Sequence, residues 1–123
     1  MTLAAKFSLV HGAPGPYVGN AVGLPALGVP PLRLQDGPQG VADGALNATC
    51  FPSVLTLTMA WDVDLARSYG AAVAAEQLAK GVNVLLGPAI NLARVPWAGR
   101  NYEYMGEDPV GERLSGARVR HRQ

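Results

Sequence analysis

Cysteine and histidine are nearly absent: one Cys and two His in 123 residues. A lone Cys50 excludes an intramolecular disulfide and is too few for a cysteine-based metal site. His11 and His121 stand at opposite ends of the chain, so neither a histidine metal centre nor a Cys–His nucleophile pair has a recognisable context. No metal is expected, and Cys50 reads as a small buried hydrophobe. Charge is also scarce, at 15% of residues with a net of +1. Arg118, Arg120 and Arg122 crowd the last six residues, and removing their three charges leaves −2. The body is therefore mildly acidic, and the basic tail reads as a solvated chain end rather than a nucleic-acid surface. No apolar run approaches the roughly 20 residues of a membrane span. Residues 1–11 lack the basic n-region and continuous apolar core of a signal peptide. Neither Gly-x-Gly-x-x-Gly nor Gly-Lys-Ser/Thr occurs at a helix start, which argues against a phosphate-binding α/β domain built on the Gly-Pro turns.

What is present is a core-forming composition, 49% hydrophobic. Thr2 can cap a helix over 3–10 with Leu3, Phe7 and Val10 on one face. Residues 12–28 are rich in Gly and Pro and read as an irregular connection. Pro30-Pro31 leads into a short strand over 32–35 that delivers Asp36 into an Asp-Gly-Pro turn. Residues 54–59 alternate apolar and polar, which predicts a strand. Asp62 can cap a helix over 63–80, with Leu65, Tyr69, Val73 and Leu78 near helical spacing and Gly81 ending it. A β-branched run over 82–86 follows as a strand. Asp108-Pro109 opens a further helix with Val110, Leu114 and Ala117 on one face.

Strands alternating with helices argue for a parallel α/β sheet. Ligands gather at the carboxyl ends of such strands, including the top rim of a (β/α)8 barrel. If the strands at 32–35 and 82–86 are parallel neighbours, Asp36 and the loop after residue 86 emerge on the same rim. A complete barrel needs about 250 residues and at least about 200. Three candidate strands cannot close one.

The loop over 86–109 gathers Arg94, Arg100, Glu103, Glu107, Asp108, Trp97, Tyr102 and Tyr104. Sugar hydroxyls are closely spaced donors and acceptors that a carboxylate or a guanidinium can engage in pairs, and aromatic rings can cover the apolar face of a pyranose. Asp36 could accept from two adjacent hydroxyls while Arg100 donates to the same ring. The plainer alternatives are an aspartate that only forms its turn, arginines that only brace the loop through ion pairs, and aromatics that only pack. Asn47-Ala-Thr49 matches the N-glycosylation acceptor, which matters only in a secreted protein.

Taken in order, Asp36-Gly-Pro-Gln-Gly, Phe51-Pro, Trp61-Asp62, Gly81, the Gly87-Pro turn, Arg94-Val-Pro-Trp-Ala-Gly-Arg100 and Glu107-Asp-Pro resemble the family 3 glycoside hydrolases of the β-glucosidase type. The resemblance covers about residues 2–117. It implies a fold that is the incomplete N-terminal portion of a (β/α)8 TIM-type barrel, and a retaining enzyme acting on terminal β-linked glucose in a β-glucoside or oligosaccharide. Asp36 and Arg100 match the family's sugar-holding aspartate and arginine, and Arg94 and Glu103 match positions read as loop organisers. The family's aspartate nucleophile, its glutamate acid/base and its Lys-His pair would all lie beyond Gln123, so no catalytic residue is expected within the chain and no cofactor is implied. Residues 118–123 depart from the family pattern, which suggests a truncation, a misplaced exon boundary or a frame change. The alternative is a non-catalytic sugar-binding or regulatory α/β protein derived from such an enzyme.

Overall fold

Thr2 opens the first element of the computed structural model, which describes residues 1–110. Its side chain accepts from the Ala5 amide at 3.2 Å, capping α1 (Leu3–Val10) as the sequence predicts. The face carrying Leu3, Phe7 and Val10 is exposed. The glycine- and proline-rich connection is more ordered than expected. It contains β1 (Gly19–Ala21) and a 3-10 turn (Pro25–Leu27) that Gly28 ends with a left-handed φ of 70°. β1 exists because β2 (Leu32–Asp36) gives its backbone an antiparallel partner, Gly19 opposite Leu34 and Ala21 opposite Leu32. No local propensity foretells that pairing.

The largest correction concerns residues 54–59, which are helical and not a strand: α2 (Val54–Met59). Six alternating residues are too few to separate the two periods, and capping decides. Ser53 accepts from the Thr56 amide at 3.2 Å, and Pro52 stands just before it. Val54 and Leu57, three apart, become the buried face. Asp62 then caps α3 (Val63–Ala79) by accepting from the amides of Asp64 and Leu65 at 2.9 and 3.1 Å. Lys80 and a left-handed Gly81 (φ 81°) close it. Its buried face keeps Val73 of the expected one and otherwise differs. Ala66, Gly70, Val73, Ala74 and Gln77 are buried, whereas Leu65 and Leu78 are exposed. Small side chains let α3 approach its neighbours closely, and the two leucines are left outside.

Three strands form one sheet in the order β1-β2-β3, with β3 (Val84–Leu86) parallel to β2. The α2 and α3 helices lie in the connection between β2 and β3, and the sheet is mixed because of β1. The buried apolar residues are Val54 and Leu57 from α2, Ala66, Val73 and Ala74 from α3, Val82, and the loop residues Val41 and Met105. Among the described residues, exposed large hydrophobic side chains outnumber these, including Trp61 and Trp97 at 85% and 84% exposed. Cys50 is exposed, contrary to its expected burial, because the 49–52 segment runs over the surface. Asp108 accepts from the Val110 amide at 2.9 Å, in keeping with a helix start. The remainder of the expected helix, with Leu114, Ala117 and the basic tail, lies outside the described residues. Among the described residues, no helix is long and apolar enough to cross a membrane.

Candidate functional site at the ends of two parallel strands

Asp36 is the last residue of β2 and stands in register with Leu86, the last residue of β3. The two strands are parallel neighbours, so the turn at 36–40 and the loop that follows residue 86 leave the sheet from the same edge. The carboxylate of Asp36 is partly exposed and makes no hydrogen bond or ion pair among the described residues. Its main chain, by contrast, is fixed. The Asp36 carbonyl accepts from Gln77 Nε2 at 3.1 Å and from the Ala42 amide at 3.4 Å. Gln35, only 3% exposed, accepts from the Val18 amide at 2.9 Å and donates to the Ala42 carbonyl, tying the strand to both flanks.

The loop after β3 starts at a cis Gly87–Pro88 peptide and is closed where Leu92 bridges Gly106, the Ala93 amide donating to the Gly106 carbonyl at 2.8 Å. Within it, Asn101 donates to the Val95 and Pro96 carbonyls at 2.8 and 3.3 Å, and a 3-10 turn (Asn101–Glu103) packs against α2. Arg100 precedes that turn. Its Nε and Nη2 donate to the two oxygens of Glu103, both at 2.7 Å. The Glu103 side chain is 12% exposed and that of Arg100 is 70% exposed.

Two alternatives for Arg100, brace or sugar ligand, are thus compatible. A guanidinium has five N–H donors, and the bidentate pair uses two of them. Three remain on an exposed group. Arg94 is exposed and pairs with no described residue, so the brace expected of it is carried by Arg100 and Glu103 instead. Trp97 and Tyr102 are exposed, so packing does not explain these two rings. Among the described residues, no cluster of His, Cys, Asp and Glu could hold a metal.

The electrostatics follow from this arrangement. The hydrogen bond from Arg100 holds the Glu103 carboxyl below the usual glutamate range, against the desolvation that would raise it, and a hydrogen bond from Tyr102 lowers it further. The same ion pair keeps Arg100 firmly charged. Tyr102 is raised mainly by its hydrogen bond to Glu103 and by that residue's charge, and the Asp36 carboxylate raises it further. The field of Asp36 therefore reaches Tyr102.

Tyr69, Gln77 and Gln35 were not anticipated as parts of this region. The Tyr69 hydroxyl lies 2.8 Å from the Pro38 carbonyl and 3.0 Å from that of Pro52, and its ring meets Phe51 edge-on at 5.4 Å. Burial, then the neighbouring Cys50, push the Tyr69 phenol up to about 12, so it remains a donor at neutral pH. The available sequence signal was positional: Tyr69 and Gln77 are polar-tipped residues eight apart in an alanine-rich helix.

Residues 19–120 match the glycosyl hydrolase family 3 N-terminal domain. The chain is 43% identical over 120 residues to thermostable β-glucosidase B of Acetivibrio thermocellus, covering 89% of this chain and 16% of that protein. It is 39% identical over 113 residues to β-glucosidase B of Emericella nidulans, covering 89% of this chain and 13% of that one. The fold superposes on a β-glucosidase from Streptomyces venezuelae, solved in complex with D-glucose, with a TM-score of 0.91 at 38% identity, over 97% of this chain and 16% of that chain. The protein thus spans less than a fifth of the length of these relatives. On a match covering most of its residues and relatives well above 30% identity, the chain belongs to glycosyl hydrolase family 3, within that family's N-terminal domain.

Proposed function

We propose that this chain is the N-terminal portion of the (β/α)8 barrel of a retaining β-glucosidase, and that it contributes Asp36 and Arg100 to the site that grips a terminal β-D-glucosyl residue. The observation that carries this reading is the register of Asp36 against Leu86. A free carboxylate and the arginine loop then leave one end of two parallel strands, where α/β folds bind ligands. Asp36 accepts from adjacent sugar hydroxyls, and Arg100, oriented by Glu103, donates its remaining N–H groups to the same ring.

Bond cleavage is assigned to polypeptide outside these residues. Retaining hydrolysis needs a nucleophile and an acid/base about 5–5.5 Å apart. Glu103 is unsuited to the acid role, since Arg100 occupies both of its oxygens and lowers its proton affinity. The exposed apolar side chains and the open edge of β3 suit surfaces that further strands and helices of a barrel would cover.

The test is an assay on aryl β-glucosides of two proteins. One is the purified 123-residue chain. The other is a chimera in which it replaces the matched segment of the Acetivibrio thermocellus β-glucosidase. No turnover by the chain, with turnover by the chimera that Asp36→Ala or Arg100→Ala reduces at least a hundredfold, is the expected result. Turnover by the chain alone would sink the assignment of cleavage to other polypeptide. The free Asp36 carboxylate and the spare Arg100 donors also favour a second reading, a sugar-binding protein without catalysis. D-glucose titrated calorimetrically into the chain, with Asp36→Ala as control, separates that reading from the first.

A further inference from the structure

One face of α3 carries Tyr69, Val73 and Gln77 at successive turns, four residues apart. The two polar members both reach the turn that presents Asp36. Gln77 Nε2 donates to the Asp36 carbonyl at 3.1 Å, and the Tyr69 hydroxyl lies 2.8 Å from the Pro38 carbonyl. Val73, between them, is buried and apolar.

Gln77 is an unusual choice for a purely structural position. It is 3% exposed, and its Oε1 is buried without a partner. Exchanging the oxygen and nitrogen of the amide would set two oxygens against each other at Asp36, so the carbonyl dictates the orientation. A buried amide satisfied on one side costs stability that a methionine of similar size would not. Gly37 completes the arrangement. A Cβ there would lie 2.4 Å from Gln77 Nε2 and 2.3 Å from Leu85 Cδ1, so the close approach of helix to turn requires glycine.

We propose that Gln77 and Tyr69 are positioning residues, a two-point clamp from α3 on the Asp36 and Pro38 carbonyls that sets the direction of the Asp36 carboxylate toward the sugar. The inference rests on the sugar-binding reading of Asp36. Neither residue touches the sugar. Each fixes a peptide plane on one side of the carboxylate, at Asp36 itself and two residues on, and so limits the directions its side chain can take. Preorganisation of this kind affects sugar recognition more than global stability.

The experiment uses the chimera described above, with Gln77→Met, Tyr69→Phe, Asp36→Ala and, as the apolar control on the same helix face, Val73→Ala. Gln77→Met and Tyr69→Phe are each expected to lower kcat/KM on aryl β-glucosides roughly two- to tenfold, the range for losing one hydrogen bond. Weaker inhibition by D-glucose should accompany this, with little change in thermal midpoint. Val73→Ala should do the reverse, lowering the midpoint and leaving kcat/KM unchanged. If Asp36→Ala abolishes turnover while both clamp variants match the parent, the clamp is wrong and the sugar reading stands. If Asp36→Ala is itself neutral, the sugar reading fails and the clamp fails with it. Should Gln77→Met fail to fold, Tyr69→Phe decides alone, since it removes one hydroxyl and keeps the ring against Phe51. A loss of kcat/KM in Val73→Ala equal to that in the clamp variants would also overturn the proposal, because general loosening of α3 would then account for everything.

Discussion

Glu103 meets Arg100 through both carboxylate oxygens, at 2.7 Å to Nε and 2.7 Å to Nη2, from a position almost closed to solvent. The pair turns a long flexible cation into a fixed fork and leaves its outer N–H groups unengaged. Glu103→Gln keeps the shape but removes the charge and one of the two acceptors. The arginine is largely exposed, so solvent screening keeps the stability loss small. Orientation of Arg100 should suffer more. In the chimera, kcat/KM is expected to fall about tenfold, with the change in urea midpoint small beside it. Equal kcat/KM for the two forms would mean that the fork does not orient Arg100 for the sugar.

The same pair predicts how stability responds to acid. Arg100 holds the Glu103 carboxyl below its ordinary range, so the folded protein binds that proton less readily than the unfolded chain. The contribution is therefore complete above the ordinary glutamate range of the unfolded chain and is lost as pH falls through the lower folded value. Urea unfolding at neutral pH and near pH 3 should show a parent stability that drops by more than that of Glu103→Gln. Parallel losses in the two proteins would assign acid sensitivity to other groups.

Gly37 supplies a steric test of the Asp36 turn. Its Cβ would have to displace both Leu85 and the amide of Gln77. Gly37→Ala is expected to cost about 1–3 kcal/mol by overpacking, although Gly37 has no left-handed φ and strain of that kind is not involved. Calorimetric melting of parent and variant measures it. A melting temperature equal to the parent's would show that helix and turn can separate without cost, and would weaken the case for close contact at Asp36.

The parts of this protein that were legible in its sequence are those governed by local rules. Thr2 and Asp62 announce helix starts, Gly81 announces a stop, and Pro30-Pro31 leads into the strand that ends at Asp36. The parallel pairing of β2 with β3 was only one possible arrangement at the level of sequence, because a strand was expected between them at 54–59. What escaped was set by partners distant in sequence. β1 consists of Gly19, Asn20 and Ala21, poor strand formers that adopt the conformation because β2 lies alongside. Leu65 and Leu78 looked like the core face of α3, yet tight packing selected Ala66, Gly70 and Ala74. Within the candidate site, Asp36 and Arg100 stood out by residue type and context. Gln77 and Tyr69 could not stand out, because their importance is a contact with a backbone some 30 to 40 positions away.

The misassigned segment at 54–59 yields the last prediction. Val54, Leu55, Thr56, Leu57 and Thr58 are mostly residues that favour strands, so α2 depends on its cap and on its packing. Ser53 supplies the cap, accepting from the Thr56 amide at 3.2 Å with the Thr56 hydroxyl 2.8 Å away. α2 in turn packs against the Asn101–Glu103 turn that carries the Arg100 brace. Ser53→Ala should therefore cost about 0.5–2 kcal/mol, and the loss should reach beyond the helix. Hydrogen exchange is expected to accelerate at the amides of Leu57 and Ala60 and also at Glu103 and Tyr104, whose bonds to Arg100 and Asn101 form that turn. Ser53→Asp, which restores a cap acceptor, should return both regions to parent rates. Acceleration confined to residues 54–60 would show that the arginine loop holds its shape without α2, and would place its support in the Leu92–Gly106 bridge instead.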